Sequence, residues 1–313
     1  MKLQKVILDT DIGDDIDDAL ALALICASPE FDLVGVTTVF GNTPARSRQA
    51  LTELVIAGRP EVPVATGCGA TMASRKFQRD VADLDKLPNQ DGTCLPVAQL
   101  PKPDSRHGVD FLIETIMAGA GDITPITIGG LTNMAMALIK EPRLAAKIPK
   151  IVSMAGEFRH PFAEWNILCD PEAAHHVFAS GIPIDVTPWH IGDVAKFHVA
   201  DLERMAQSPQ PLVQYLHRAV NAWKDARRKP GYEPMPSLYD PMAVATMVQP
   251  DLCTWRQGVV TVELPGQSTY GYTQFREDAK GPHRIAWDVD RDRAIGWYLG
   301  RVLGYSPALS AQR

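Results

Sequence analysis

Val6-Ile7-Leu8-Asp9-Thr10-Asp11-Ile12-Gly13-Asp14-Asp15-Ile16-Asp17-Asp18-Ala19 places six aspartates within ten positions, between one apolar run and a second that continues to Ala27. Val6 to Leu8 shows no polar alternation, as in a strand covered by helices on both faces. Asp17 to Ser28 reads as a helix stopped by Pro29. Gly13 permits the tight turn between them. Strand period puts Asp9 and Asp11 on one side, and open parallel sheets bind ligands beyond the carboxyl ends of their strands. Asp17 and Asp18 open a helix whose dipole and free N–H groups favour anions. A strand-end aspartate and a helix-start aspartate can therefore converge on one ion. A cluster this dense repels itself unless neutralised, and a hard divalent cation prefers such oxygen ligands. The plain local alternative is that Asp14 to Asp18 cap the helix and solvate the turn. That reading suits Asp14 or Asp15 taken singly, whereas Asp9 suits a role behind the site, orienting its neighbours.

Outward from this segment, strands and helices alternate. Leu33 to Val39 reads as a strand, Ala45 to Ala57 as a helix and Val62 to Ala65 as a strand. Val109 to Ala118 reads as a helix, Ile123 to Ile128 as a strand, and Ile151 to Met154 and Ile184 to Val186 as further strands. Repeated units of this size predict an α/β fold: an open, mostly parallel, Rossmann-like sheet flanked by helices, with right-handed crossovers. Thr71 to Arg106 is rich in polar residues, Gly and Pro and is expected to be a long loop forming one wall of a site. Tyr215 to Arg228 reads as a helix. Gly258 to Leu264 and Arg284 to Val289 alternate enough for a late hairpin or edge strands. No repeat or linker divides the chain, so residues 1–313 are expected to form a single catalytic domain.

The 313 residues carry a formal net charge of -6, which gives no support for nucleic-acid binding. No apolar run is long enough to span a membrane, and the N-terminus reaches acidic residues too early for a signal peptide. Cys26, Cys68, Cys94, Cys169 and Cys253 are dispersed, with no CxxC pair. That pattern fits reduced thiols and a cytoplasmic location.

At this point the sequence resembles the inosine-uridine-preferring nucleoside hydrolases, whose strand-end motif has the form DxDPGxDDA. Asp9-Thr10-Asp11-Ile12-Gly13-Asp14-Asp15-Ile16-Asp17-Asp18-Ala19 matches it with two extra residues after Gly13 and Ile12 in place of proline. The helix-start pair then falls on Asp17-Asp18, with Asp14-Asp15 as the alternative pair. Thr37-Thr38-Val39-Phe40-Gly41-Asn42 is similar to the second strand and its ribose-binding asparagine. Ile128-Gly129-Gly130-Leu131-Thr132-Asn133 is similar to the central GPLTN-like turn. Met154-Ala155-Gly156, Ala163-Glu164-Trp165-Asn166 and Asp170-Pro171-Glu172-Ala173-Ala174 resemble the sugar-binding segment, and Asp240-Pro241-Met242-Ala243 the late aspartate. The similarity runs from about Lys5 to Gly304, and the ordered set is far more specific than any one motif.

The resemblance implies calcium-dependent hydrolysis of the N-glycosidic bond of ribonucleosides, by a homodimer or homotetramer. It implies Asp11, Asp18, Asp240 and the Ile128 carbonyl as calcium ligands, with waters and ribose hydroxyls completing the shell. Asp11 is also the expected general base toward the attacking water, in a reaction with an oxocarbenium-like transition state. Asp17, Asn42, Met154 and Asn166 are expected around the ribose, with Glu164 on the outer sugar hydroxyl. Where many family members place a leaving-group histidine before the late aspartate, this chain has Tyr239. Tyrosine can hydrogen-bond or stack on a base but is a weaker acid at neutral pH. Trp189, His190 and Trp223 join Tyr239 as candidate base-pocket residues. Outside the motifs, Asn42 reads equally as a turn residue, Asn166 as a helix cap, Glu164 as a surface acid and Met154 as core. Arg159 reads best as a surface ion pair. Two other functions compete. Asp9-Thr10-Asp11 also resembles an aspartyl-phosphate motif of metal-dependent phosphohydrolases, and the Tyr239 departure suits a non-catalytic ribose-binding protein.

Overall fold

The computed structural model describes residues 3–72 and 83–306. Among the described residues, nine strands form one sheet in the order β3-β2-β1-β4-β5-β6-β9-β7-β8. The first six are β1 (Gln4–Thr10), β2 (Phe31–Thr38), β3 (Val64–Thr66), β4 (Ile123–Thr127), β5 (Ile151–Met154) and β6 (Ile184–Thr187). They run parallel. The order reverses at β1, which sits between β2 and β4, so a crevice opens beyond the carboxyl end of β1. The aspartate-rich turn leaves the sheet at that switch point.

The two late expected strands pair, but not as a simple hairpin. β7 (Cys253–Val262) runs antiparallel to β9 (His283–Val289) on one side and to β8 (Thr273–Glu277) on the other. β9 joins β6 in parallel and so extends the main sheet. β8, Thr-Gln-Phe-Arg-Glu, is half solvated at the sheet edge and has little apolar pattern, which is why the sequence did not mark it.

Helix α1 (Asp17–Ala27) is buried on all sides from Asp17 to Cys26. Its Ala/Leu run is apolar around the whole circumference, as a helix enclosed by others requires. It packs against α2 (Thr43–Ile56), α9 (Pro211–Arg227), α10 (Tyr239–Val248) and α11 (Arg291–Leu303). Pro211 opens α9 one turn before the expected start, at the helix position where a missing N–H costs least. Across the sheet lie α3 (Gly108–Ala118), α4 (Thr132–Lys140) and α6 (Pro171–Phe178). Short helices α5 (Trp165–Cys169), α7 (Trp189–Val194) and α8 (Val199–Ala206) complete the set. Of the expected long loop, residues 73–82 lie outside the described residues; the part after them carries short 3-10 turns at Asp91–Thr93 and Val97–Gln99. The five cysteines are free. Among the described residues no helix is long and apolar enough to cross a membrane.

Candidate active site

Two helix N-termini meet beyond the end of β1. α1 begins at Asp17 and α10 at Tyr239, and the two helices pack together. Neither has a side-chain cap, so their first-turn N–H groups leave the local field positive. Asp17, Asp18 and Asp240 are 6%, 3% and 2% exposed, and each offers a carboxylate oxygen within 4.8 Å of the others. Asp11 lines the same cavity, which has a volume of about 460 Å³. The sequence had grouped Asp11, not Asp17, with Asp18 and Asp240. In the structure Asp17 makes up the tight group and Asp11 stands beside it. Asp14 and Asp15, the alternative pair, are a third or more exposed and bound to Arg46 and Arg227, at 2.9 and 3.0 Å.

Burial first, then mutual repulsion, raises the carboxyls of Asp17, Asp18 and Asp240 well above the ordinary range. Asp11 is pushed up to about 6 by burial, against the pull of Arg46. These groups ionise together only if positive charge joins them. Oxygen-only donors on short carboxylates suit a hard divalent cation.

The clustered carboxylates are held from behind. Thr10 donates its hydroxyl to Asp18 Oδ1 at 2.5 Å and accepts from the Ile12 N–H at 3.1 Å. Asp9 is not on the cavity wall and accepts from Thr37 at 2.6 Å and Asn133 at 2.8 Å. Burial raises its carboxyl to about 7. Gly129 lets the β4–α4 turn approach closely: a Cβ there would sit 2.7 Å from Asp11 Oδ1.

Ile128, Met154, Glu164 and Asn166 form the next wall. Asn166 Nδ2 donates to the carbonyls of Ile128 at 2.9 Å and Met154 at 3.2 Å. Glu164, 2% exposed, is the N-cap of α5; its Oε1 accepts from the Asn166 N–H at 2.8 Å and its Oε2 from Ile167 at 3.3 Å and Gly156 at 3.0 Å. Burial outweighs these bonds and raises its carboxyl to about 7. The helix cap anticipated for Asn166 is thus Glu164. Opposite, Trp189 and Tyr239 are stacked, with centroids 6.0 Å apart and planes at 25°. Gly192 makes room, since a Cβ there would fall 2.1 Å from the Tyr239 ring. Burial raises the Tyr239 phenol, whose hydroxyl is hydrogen-bonded to Ser237.

Three expected substrate residues are not on the cavity wall. Asn42 caps α2, its Oδ1 accepting from the Ala45 N–H at 3.1 Å. His190 turns to Glu157, donating its backbone N–H at 3.0 Å, with Nδ1 at 3.2 Å. Burial works against ionising Glu157, yet bonds from His190, the Arg159 N–H and His160 hold it down to about 2. Trp223 is 5% exposed within the core around α9. Arg159 pairs with Asp288 at 2.8 Å near the surface, as expected.

Phe40, Trp165, Arg46, Arg227, Lys86 and Asn89 line the cavity without having been anticipated. Phe40 and Trp165 lay inside quoted motifs, and their edge-to-face contact at 6.0 Å forms part of the rim. Phe40 holds φ +66°, uncommon for a bulky residue. Lys86 and Asn89 bear out the expected loop wall. Nothing local in the sequence marks Arg46 as buried.

The chain matches the family described as inosine-uridine preferring nucleoside hydrolase over residues 6–296. It is 37% identical to an uncharacterized protein of Schizosaccharomyces pombe, over 85% of this chain and 87% of that one. It is 32% identical to the pyrimidine-specific ribonucleoside hydrolase RihA of Salmonella paratyphi A, over 96% and 99%. The solved structure of a plant nucleoside hydrolase, PpNRh1, superposes with a TM-score of 0.84 at 30% identity, covering 96% of this chain and 99% of that one. These relationships decide against the phosphohydrolase and non-catalytic readings, and the chain belongs to the inosine-uridine preferring nucleoside hydrolase family as an enzyme that cleaves the N-glycosidic bond of ribonucleosides.

Proposed function

We propose that this hydrolase uses calcium, and that Asp11, Asp18, Asp240 and the Ile128 carbonyl hold it, with Asp17 close enough to share. The observation that carries this reading is the convergence of three buried carboxylates within 4.8 Å in one cavity with Asp11. Several oxygen donors and room for sugar hydroxyls suit calcium's large, flexible shell better than magnesium's strict octahedron. When bound, the cation supplies positive charge that grips the vicinal ribose hydroxyls and makes a neighbouring water more acidic.

The remaining work belongs to the chain. Asp11 accepts the proton of the attacking water, a role its place on the wall of the same cavity as the three clustered carboxylates allows. The surrounding carboxylates stabilise the positive charge that grows on the sugar as the C–N bond opens. Asp17, Met154 and Asn166 position the ribose, and Glu164 takes its outer hydroxyl. Trp189 and Tyr239 form an aromatic wall for the base. The raised phenol of Tyr239 stays protonated at working pH, so it serves the departing base as a hydrogen-bond donor. The whole chain acts as one catalytic domain, in a reducing cytoplasm consistent with five free cysteines, as a homodimer or homotetramer.

A chromatographic nucleoside panel tests this, starting from pyrimidine ribonucleosides. Base release from ribosides should stop in chelator, return with calcium, and be far slower for 2′-deoxyribosides. Equal rates with and without chelator would remove calcium from the reaction.

A further inference from the structure

Arg46 lies on α2, is 3% exposed and lines the cavity from beneath the aspartate-rich turn. Its guanidinium is divided among the ends of two strands. Nε donates to the Phe40 carbonyl beyond β2 at 2.6 Å. Nη1 donates to the carbonyls of Asp11 and, at 3.0 Å, Ile12, beyond β1. Nη2 reaches Asp14 Oδ2 at 2.9 Å. Asp14 belongs to the stretch Asp14-Asp15-Ile16, which is two residues longer than the corresponding part of the family motif. The lengthened turn is also stitched to the following loop, by the Gln90 N–H on the Gly13 carbonyl at 3.0 Å and by Gln90 Nε2 on the Asp15 carbonyl.

We propose that Arg46 is a positioning residue: its planar fork fixes the main chain of the lengthened turn and so sets the placement of the Asp11 carboxylate toward the cation and the attacking water. The inference rests on the cation reading above. Burying a guanidinium strips its hydration, and one partly exposed carboxylate compensates that loss poorly. Three carbonyl acceptors on two separate chain segments match the rigid donor array of arginine, which a point-charge lysine does not reproduce.

Position and charge predict opposite outcomes. A positive charge beside a cation site repels the cation, so if charge were what mattered, Arg46→Met would bind calcium more tightly. If position matters, the turn loosens and binding weakens, by about 10- to 100-fold for a residue that orients a metal ligand. Arg46→Lys keeps the charge and loses the fork, so it should weaken calcium binding as well. The measurement is calorimetric titration of the full chain with calcium alone. It is paired with amide hydrogen exchange of the metal-free protein, where peptides spanning residues 9–16 should exchange faster in both variants. Parental or tighter calcium affinity in Arg46→Met, parental affinity in Arg46→Lys, or unchanged exchange in that segment would each overturn the proposal. If Arg46→Met does not fold, Arg46→Lys carries both readouts. If the parent itself fails to bind calcium, the cation reading falls, and hydrogen exchange still decides the role of Arg46.

Discussion

Asp11 is pulled two ways. Burial and the neighbouring Asp14 and Asp15 favour its neutral form, while Arg46 favours the anion, and the balance lies at about 6. A bound cation would tip that balance further toward the anion, the form that accepts a proton. Asp9, inside β1 where Asp11 lies just past its end, has both its partners behind the site and leaves one oxygen unpaired. The division between them is set by neighbours: Thr37 and Asn133 claim Asp9, whereas Gly129 clears a space for Asp11. Asp11→Asn keeps the shape and removes the basicity. Assayed at saturating calcium, it should lower kcat by about 10²- to 10⁴-fold with an unchanged circular dichroism spectrum. A kcat within threefold of the parent would move the base role to another residue.

At the scale of elements, the apolar run before the aspartates and the all-round apolar helix after them were sufficient to place the acidic turn at the carboxyl end of β1, because both are covered on every side and carry no competing pattern. Helix α1 begins at the expected Asp17, and the residues after β4 turn at Gly129 as the motif implied. What the sequence hid depends on contacts between distant elements. His190 and Trp223 look like pocket residues until Glu157 and the α9 core are seen to claim them. Arg46 looks like any helix-surface arginine until the turn folds over it. Glu53, on the same helix, is hidden in the same way. It is fully buried, with no side-chain partner and at most a weak contact with the backbone of Ala23. Burial raises its pKa well above 4.5, so the folded protein favours the neutral form. Its contribution to stability is therefore fully present below about pH 4.5 and is lost as pH rises toward the folded-state value, because the unfolded chain gains by ionising. Glu53→Gln removes that penalty. Its melting temperature should exceed the parent's by an amount that grows from pH 5 to pH 8.5, at roughly 2–4 °C per kcal/mol relieved. A difference that stays flat with pH would show that Glu53 ionises freely in the folded state.

At the scale of the whole molecule, the carboxylates that meet in the cavity come from both ends of the chain. Asp17 and Asp18 lie on the first helix, and Asp240 lies on α10, which packs against it. Without a cation, folding forces like charges, or costly protonation, into one buried space. Calcium binding should then do more than enable chemistry; it should fasten the early and late parts of the fold together. A ligand at one hundred times its Kd stabilises the folded state by about 2.7 kcal/mol, which is several degrees of melting temperature for a chain of this size. Scanning calorimetry in chelator and in calcium should show that rise, reversed on chelation. Asp240→Asn separates repulsion from ligation, because the two act in opposite directions. With one like charge removed, the metal-free variant should melt at or above the parent, and with one ligand removed its calcium-induced rise should largely vanish. A variant that melts below the parent without metal yet keeps the full calcium shift would place Asp240 in the packing of α10 and outside the cation site.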